Sequence, residues 1–80
     1  MEREQIEEKV RAFLVDELEI EDAGIVPDAK LKEDLGIDSL EIVDVAVFVD
    51  SEFGFRMKPE DFRGILTFGD FCSYIEGHAV

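Results

Sequence analysis

Asp38 and Glu41 stand three residues apart at the head of SLEIVDVAVFVDSEF, and Gly54 follows that run directly. An Asp-x-x-Glu pair is an aspartate version of the capping box, in which each side chain accepts a hydrogen bond from the other residue's backbone N–H. A glycine just past an apolar run is a common C-terminal cap, because it enters the left-handed conformation without a steric penalty. The spacing therefore predicts a helix from Ser39 to Phe53 with both ends defined locally. On this reading Ser39 holds the first helical position and not the cap. Its hydroxyl has no structural duty.

At about 100° per residue, Ile42, Val45, Ala46, Val49 and Phe53 cluster on one side of this helix and should face a core. Leu40, Val43 and Val47 fall largely on the opposite side with Asp44 and Ser51, flanked by Glu41 and Asp50. Exposed aliphatic residues are common and need no function. An apolar stripe edged with carboxylates beside a spare serine is different, because the fold does not need it. It reads as a docking surface.

The chain has 80 residues, enough for one domain spanning 1–80, with an expected radius of gyration of about 12 Å and a thin core. Ile6, Val10, Phe13, Leu14 and Leu18 follow helical spacing and predict a first helix over 3–19, with Glu7 and Arg11 placed to pair on its outer side. Gly24, Pro27 and Gly36 disfavour a continuation, so EDAGIVPDAKLKEDLGI is a long ordered loop, pinned by Leu31 and Leu35 and delivering the chain to Ser39. GFRMKPEDFRGIL predicts a short third helix, with Pro59 suited to its first turn. Thr67 and Asp70 signal the start of a last helix with Phe68, Phe71, Cys72 and Ile75 inward and Gly77 as its stop. No strand pair with hairpin chemistry is present. The expected fold is all-α, a small four-helix bundle of three longer helices and one short one, with a long loop between helices one and two.

Twenty-one acidic against eight basic residues give a net charge of −13. Such a surface repels phosphate backbones, which argues against nucleic acid and anionic membranes; on charge alone it suits basic protein partners and serves equally well just to keep a small domain soluble. Cys72 is the only cysteine, so no internal disulfide can form, in keeping with a reducing compartment. MEREQIEEKV lacks the apolar core of a secretion signal, and no apolar run approaches the roughly 20 residues of a membrane span. The expected location is the cytoplasm, and nothing requires more than a monomer.

Catalysis by Ser39 needs a base and a group that orients it, yet the only histidine is His78, read as a tail residue past the last helix. There is no Gly-x-Ser-x-Gly elbow, and one Cys with one His cannot build a zinc cage. No enzyme activity and no metal site are expected. What remains is a serine on which another protein acts. The start of a helix suits an attached phosphodiester through its dipole and free N–H groups, although Asp38 repels that charge.

DLGIDSLEIVDV resembles the signature of acyl carrier proteins, with an Asp-Ser-Leu at the start of the second helix. The resemblance extends over nearly the whole chain, through the acidic first helix, the long loop and the closing FCSYI. It implies that Ser39 carries 4′-phosphopantetheine donated from coenzyme A, with Asp38 read by the phosphopantetheinyl transferase. It implies that Leu40, Val43 and Val47 meet partner enzymes that transfer, condense and reduce acyl groups, and that Glu41, Asp44 and Asp50 meet basic residues on them. Such a carrier serves fatty-acid or polyketide-type biosynthesis, and its reactive thiol belongs to the arm and not to Cys72.

Arg56 and Lys58 depart from the acidic continuation of many fatty-acid carriers. Phe55 and Phe62 add bulk where family members shelter an acyl chain, which implies a narrowed or reshaped pocket. Two rival readings stay open. One is a carrier of amino acids, peptides or D-alanine, against which Gly-Ile-Asp-Ser-Leu counts. The other is an unmodified acidic interaction domain that uses the same patch without Ser39.

Overall fold

The computed structural model describes residues 2–78, with every side chain in that range but that of Pro59. Three α-helices carry the fold: α1 (Arg3–Asp16), α2 (Ser39–Phe53) and α3 (Phe68–His78). Two 3-10 turns, Asp22–Gly24 and Pro59–Gly64, interrupt the connections. The chain is all-helical, with no strand among the described residues beyond an isolated antiparallel bridge between Lys30 and Thr67. The expected count of four helices is corrected to three α-helices among the described residues. The short third helix is a six-residue 3-10 turn, closed by i→i+3 bonds from Asp61 N–H to the Lys58 carbonyl and from Ile65 N–H to the Phe62 carbonyl. A segment that short cannot offset the cost of nucleating α-helix, and the tighter turn needs fewer fixed residues per bond.

Helix α1 also stops three residues short of the predicted end. Glu19 takes a left-handed conformation at φ 55°, and the Ile20 N–H reaches back to the Leu14 carbonyl at 3.0 Å. The expected Glu7–Arg11 pair is replaced by two others. Arg3 Nε donates to Glu7 at 3.0 Å, and Arg11 reaches Asp22 at 3.4 Å. Ile6, Val10 and Leu14 are buried as predicted, while Phe13 and Leu18 are half-buried.

α1 packs on α3, whose Phe68, Phe71, Cys72 and Ile75 are all buried. α2 contributes Val45, Val49 and Phe53 to the same core, and its Phe48 ring stacks on Phe13 of α1 with centroids 4.3 Å apart. Arg3 clips the first turn of α1 to α3, donating to Ser73 Oγ at 2.9 Å and to the Gly69 carbonyl at 3.0 Å. α3 begins with the predicted Thr67–Asp70 exchange, at 3.1 and 3.3 Å. It does not stop at Gly77. It continues to His78, whose ring stacks on Tyr74 at 4.1 Å and donates to the Tyr74 carbonyl at 2.9 Å. His78 is therefore a helical residue and not a free tail.

The long loop is tied down by its backbone. Leu31 N–H bonds the Leu66 carbonyl, Phe68 N–H the Ala29 carbonyl and Gly69 N–H the Pro27 carbonyl, each at 2.9 Å. Leu31 and Leu35 are buried as expected, joined by Ile25, Ala29 and Ile37. These anchors bring the radius of gyration to 11.2 Å and fix where the chain enters α2.

Candidate functional site

The approach to α2 is set residue by residue. Gly36 turns the chain at φ 70°, a conformation that side chains with a Cβ rarely adopt. Ile37 then buries its side chain, and its N–H bonds the Leu31 carbonyl at 2.9 Å. Asp38 caps the helix as predicted, its Oδ1 accepting from the N–H groups of Leu40 and Glu41 at 3.0 Å each. Glu41 completes the box by accepting from the Asp38 N–H at 3.3 Å. Ser39 is left exposed at the first helical position, with its hydroxyl outside the cap.

This cap changes one expectation. The N–H groups of Leu40 and Glu41 are already held by the Asp38 side chain, and that of Ile42 by the Asp38 carbonyl at 3.0 Å. The donors expected to welcome an anion at Ser39 are largely occupied, so little beyond the helix dipole remains. Glu41 likewise divides between the cap and the surface.

The predicted surface is brought together along α2. Leu40, Val43 and Val47 are 79%, 52% and 64% exposed, a run of solvent-facing aliphatics on a helix whose opposite face is core. Asp38, Asp44 and Asp50 are exposed and Glu41 is half-buried. Val47 and Asp44 also line a broad open groove of about 810 Å³ between α1 and α2, which Ser39 does not line.

Beside Ser39 lies a second hollow that periodicity did not reveal, a cleft of about 440 Å³. Ile37, Val45, Phe62, Ile65 and Phe71 form its buried apolar floor, and Ser39 stands on its rim. Phe62 does occupy this space, its ring centroid 5.9 Å from that of Phe71. Phe55 does not line the cleft. It packs against Tyr74 and His78, with centroids 6.1 and 5.6 Å away. The expected narrowing by two phenylalanines therefore reduces to Phe62.

The rim also carries Lys30, Lys32 and Glu33 from the long loop and Arg63 from the Pro59–Gly64 turn, two segments that no pattern along the chain links. Arg56 and Lys58, singled out for their charge, are exposed and lie outside the cleft.

Burial pushes the Cys72 thiol up to about 12, so it stays protonated and unreactive in the core. Among the described residues no trio of His, Cys, Asp or Glu is grouped to hold a metal ion. No described helix is long and apolar enough to cross a membrane.

A family described as "Phosphopantetheine attachment site" matches residues 8–75, from within α1 through α2 and into α3. Its members carry covalently attached 4′-phosphopantetheine. They are carrier domains and not catalysts, and work with phosphopantetheinyl transferases and biosynthetic enzymes generally. An exposed serine hydroxyl that the helix cap does not use, beside an apolar cleft, fits such an arm. The match covers most of the sequence, and the chain belongs to the phosphopantetheine-attachment-site family of carrier domains.

Proposed function

We propose that this chain is an acyl carrier protein whose arm is attached to Ser39. The observation that carries the reading is the division of labour at the head of α2. Asp38 and Glu41 do the capping, and Ser39 presents a hydroxyl with no other task. The phosphopantetheinyl transferase joins that oxygen to the phosphopantetheinyl phosphorus of coenzyme A, breaking the pyrophosphate bond and releasing adenosine 3′,5′-bisphosphate and the hydroxyl proton. The thiol at the far end of the arm then holds cargo as a thioester. An apolar cleft opening beside the attachment point supports an acyl cargo over an amino acid, which would leave that floor uncovered. Gly36-Ile37-Asp38-Ser39-Leu40 supports the same choice by its likeness to acyl carriers. The pathway is fatty-acid or polyketide-type assembly, in the cytoplasm.

The exposed stripe of Leu40, Val43 and Val47 is the docking face, with Glu41, Asp44 and Asp50 steering basic patches on the transferase and the acyl-handling enzymes. A net charge of −13 makes this encounter fast and salt-sensitive and keeps copies of the chain apart as monomers.

An intact mass spectrum after incubation with coenzyme A and a broad-specificity phosphopantetheinyl transferase tests the reading. The expected result is one added phosphopantetheinyl group, absent from Ser39→Ala. No mass gain, with a validated carrier modified in the same tube, would point instead to an unmodified acidic docking domain.

A further inference from the structure

The cleft beside Ser39 has an apolar floor and a charged edge, and the charge has the wrong sign for this protein. Three of the chain's eight lysines and arginines, Lys30, Lys32 and Arg63, stand on its rim against one acid, Glu33. They come from two separate segments, the long loop and the Pro59–Gly64 turn, so the fold and not a local sequence run assembles them. Lys30 is engaged with Glu33 at 3.3 Å. Lys32 and Arg63 are exposed and enter none of the ion pairs found among the described residues. In a chain with twenty-one acids, a cleft lining with three cations and one acid is a local excess of positive side chains.

We infer that the cleft takes an acyl chain ending in a carboxylate, with the apolar stretch on the floor and the terminal carboxylate between Lys32 and Arg63. The inference rests on the carrier reading of Ser39 and names the class of cargo. A plain alkyl chain would cover Ile37, Phe62 and Ile65 equally well and leave the cations unanswered. A short polar cargo would answer the cations and leave the floor wet. Only a cargo with both features complements both surfaces. The occupant is anchored on the rim at Ser39, and Lys32 and Arg63 on that rim are open to water. A chain lying along the floor can therefore return its charged end to solvent and need not bury it.

The test compares octanoyl and suberoyl forms of the protein, loaded from the matching coenzyme A thioesters and verified by intact mass. The readout is the rate of thioester cleavage by hydroxylamine, which reports how far the cargo is sheltered. The suberoyl form should be cleaved about threefold more slowly, the scale expected of partly exposed ion pairs, with the difference shrinking in high salt. The double variant Lys32→Ala/Arg63→Ala should abolish the difference and leave the octanoyl rate unchanged. The charge-reversed Lys32→Glu/Arg63→Glu should invert it. Equal protection of the two cargoes, or a preference that survives both variants, overturns the inference while leaving the carrier reading intact. A shift of the Lys32 and Arg63 backbone amide resonances on attachment of the unloaded arm, with none added by suberate, assigns the cations to the arm's phosphodiester and also overturns it. A failure to gain mass at Ser39 is a separate outcome, which removes the carrier reading and this inference together.

Discussion

Asp38 holds Leu40 and Glu41 with a single carboxylate oxygen, 3.0 Å from each backbone nitrogen, and so starts α2 without help from the serine between them and itself. Asp38→Ala should lose about 1 kcal/mol, the usual scale for an N-cap. Ser39→Ala should change stability by less than about 0.5 kcal/mol, as expected of a surface site without a structural role. Urea unfolding of the two variants separates these roles. A loss above about 2 kcal/mol in Ser39→Ala would mean that its hydroxyl belongs to the fold.

Gly69 is a point of close approach between the long loop and α3. A Cβ there would lie 3.0 Å from the Pro27 carbonyl oxygen, which is itself held by the Gly69 N–H at 2.9 Å. The few tenths of an ångström by which the oxygen must retreat would stretch and weaken that bond. Gly69→Ala gains about 1 kcal/mol of helix propensity and should still be destabilised, by a net of about 1 kcal/mol. Amide exchange should speed up at Leu31 and Phe68, whose bonds depend on the same docking. Protection unchanged at both would show that the loop is held by its buried side chains alone.

The exposed stripe on α2 predicts a variant that folds normally and binds badly. Val47→Glu and Asp44→Lys alter residues that face water, so stability should stay within about 0.5 kcal/mol of the parent. Each should lower the affinity for the phosphopantetheinyl transferase or an acyl-handling enzyme by about tenfold, the effect of 1.4 kcal/mol. Asp44→Lys should also flatten the salt dependence of association, which Val47→Glu should not. Wild-type rates of modification and transfer in both variants would place the docking face elsewhere.

What the sequence made readable was local. Asp38, Glu41 and Gly54 punctuate α2 in the chain itself, and the helical spacing of Val45, Val49 and Phe53 named its buried face. The exposed position of Leu40, Val43 and Val47 followed from the same geometry. The end of α1 was not readable, because Glu19 adopts a left-handed turn that sequence leads one to expect of glycine. α3 persists through Gly77 to His78, whose ring stacks on Tyr74 one turn earlier, a pairing that reading Gly77 as a stop did not take into account. The cleft was least legible. Lys32 and Arg63 share its rim only because the loop and the Pro59–Gly64 turn are folded against α2, and no pattern along the chain records that.

Phe62 is the one bulky residue of the expected pair that occupies the cleft, and it is only 8% exposed. Phe62→Leu should enlarge the cleft at a cost of about 1 kcal/mol, less than the roughly 3 kcal/mol of truncation to alanine. On the acyl-carrier reading, longer chains should then be protected from hydroxylamine better than in the parent. Phe55→Leu, which alters packing on Tyr74 and His78, should leave the chain-length preference unchanged. The same shift in both variants would mean that general loosening and not cleft size sets the preference.

Cys72 gives the molecule a predictable weakness in alkali. Its thiol would ionise near 9.0 in the unfolded chain but holds its proton up to about 12 in the core, because burial opposes the thiolate. Between those values the unfolded state releases a proton that the folded state keeps. This contribution to stability is complete below pH 9.0 and falls as pH rises toward about 12, with a slope of at most about 1.4 kcal/mol per pH unit. Tyr74 acts in the same direction, its hydroxyl raised by burial and then by the neighbouring Asp61 carboxylate. Cys72→Ala should therefore start less stable at neutral pH, having lost core volume, and lose stability more gently from pH 9.0 upward without becoming flat. Parallel curves for the two proteins across that range would mean that the thiol ionises in the folded state as readily as in the unfolded one. The same buried thiol should resist iodoacetamide at neutral pH, and alkylation without prior unfolding would contradict its burial on the inner face of α3.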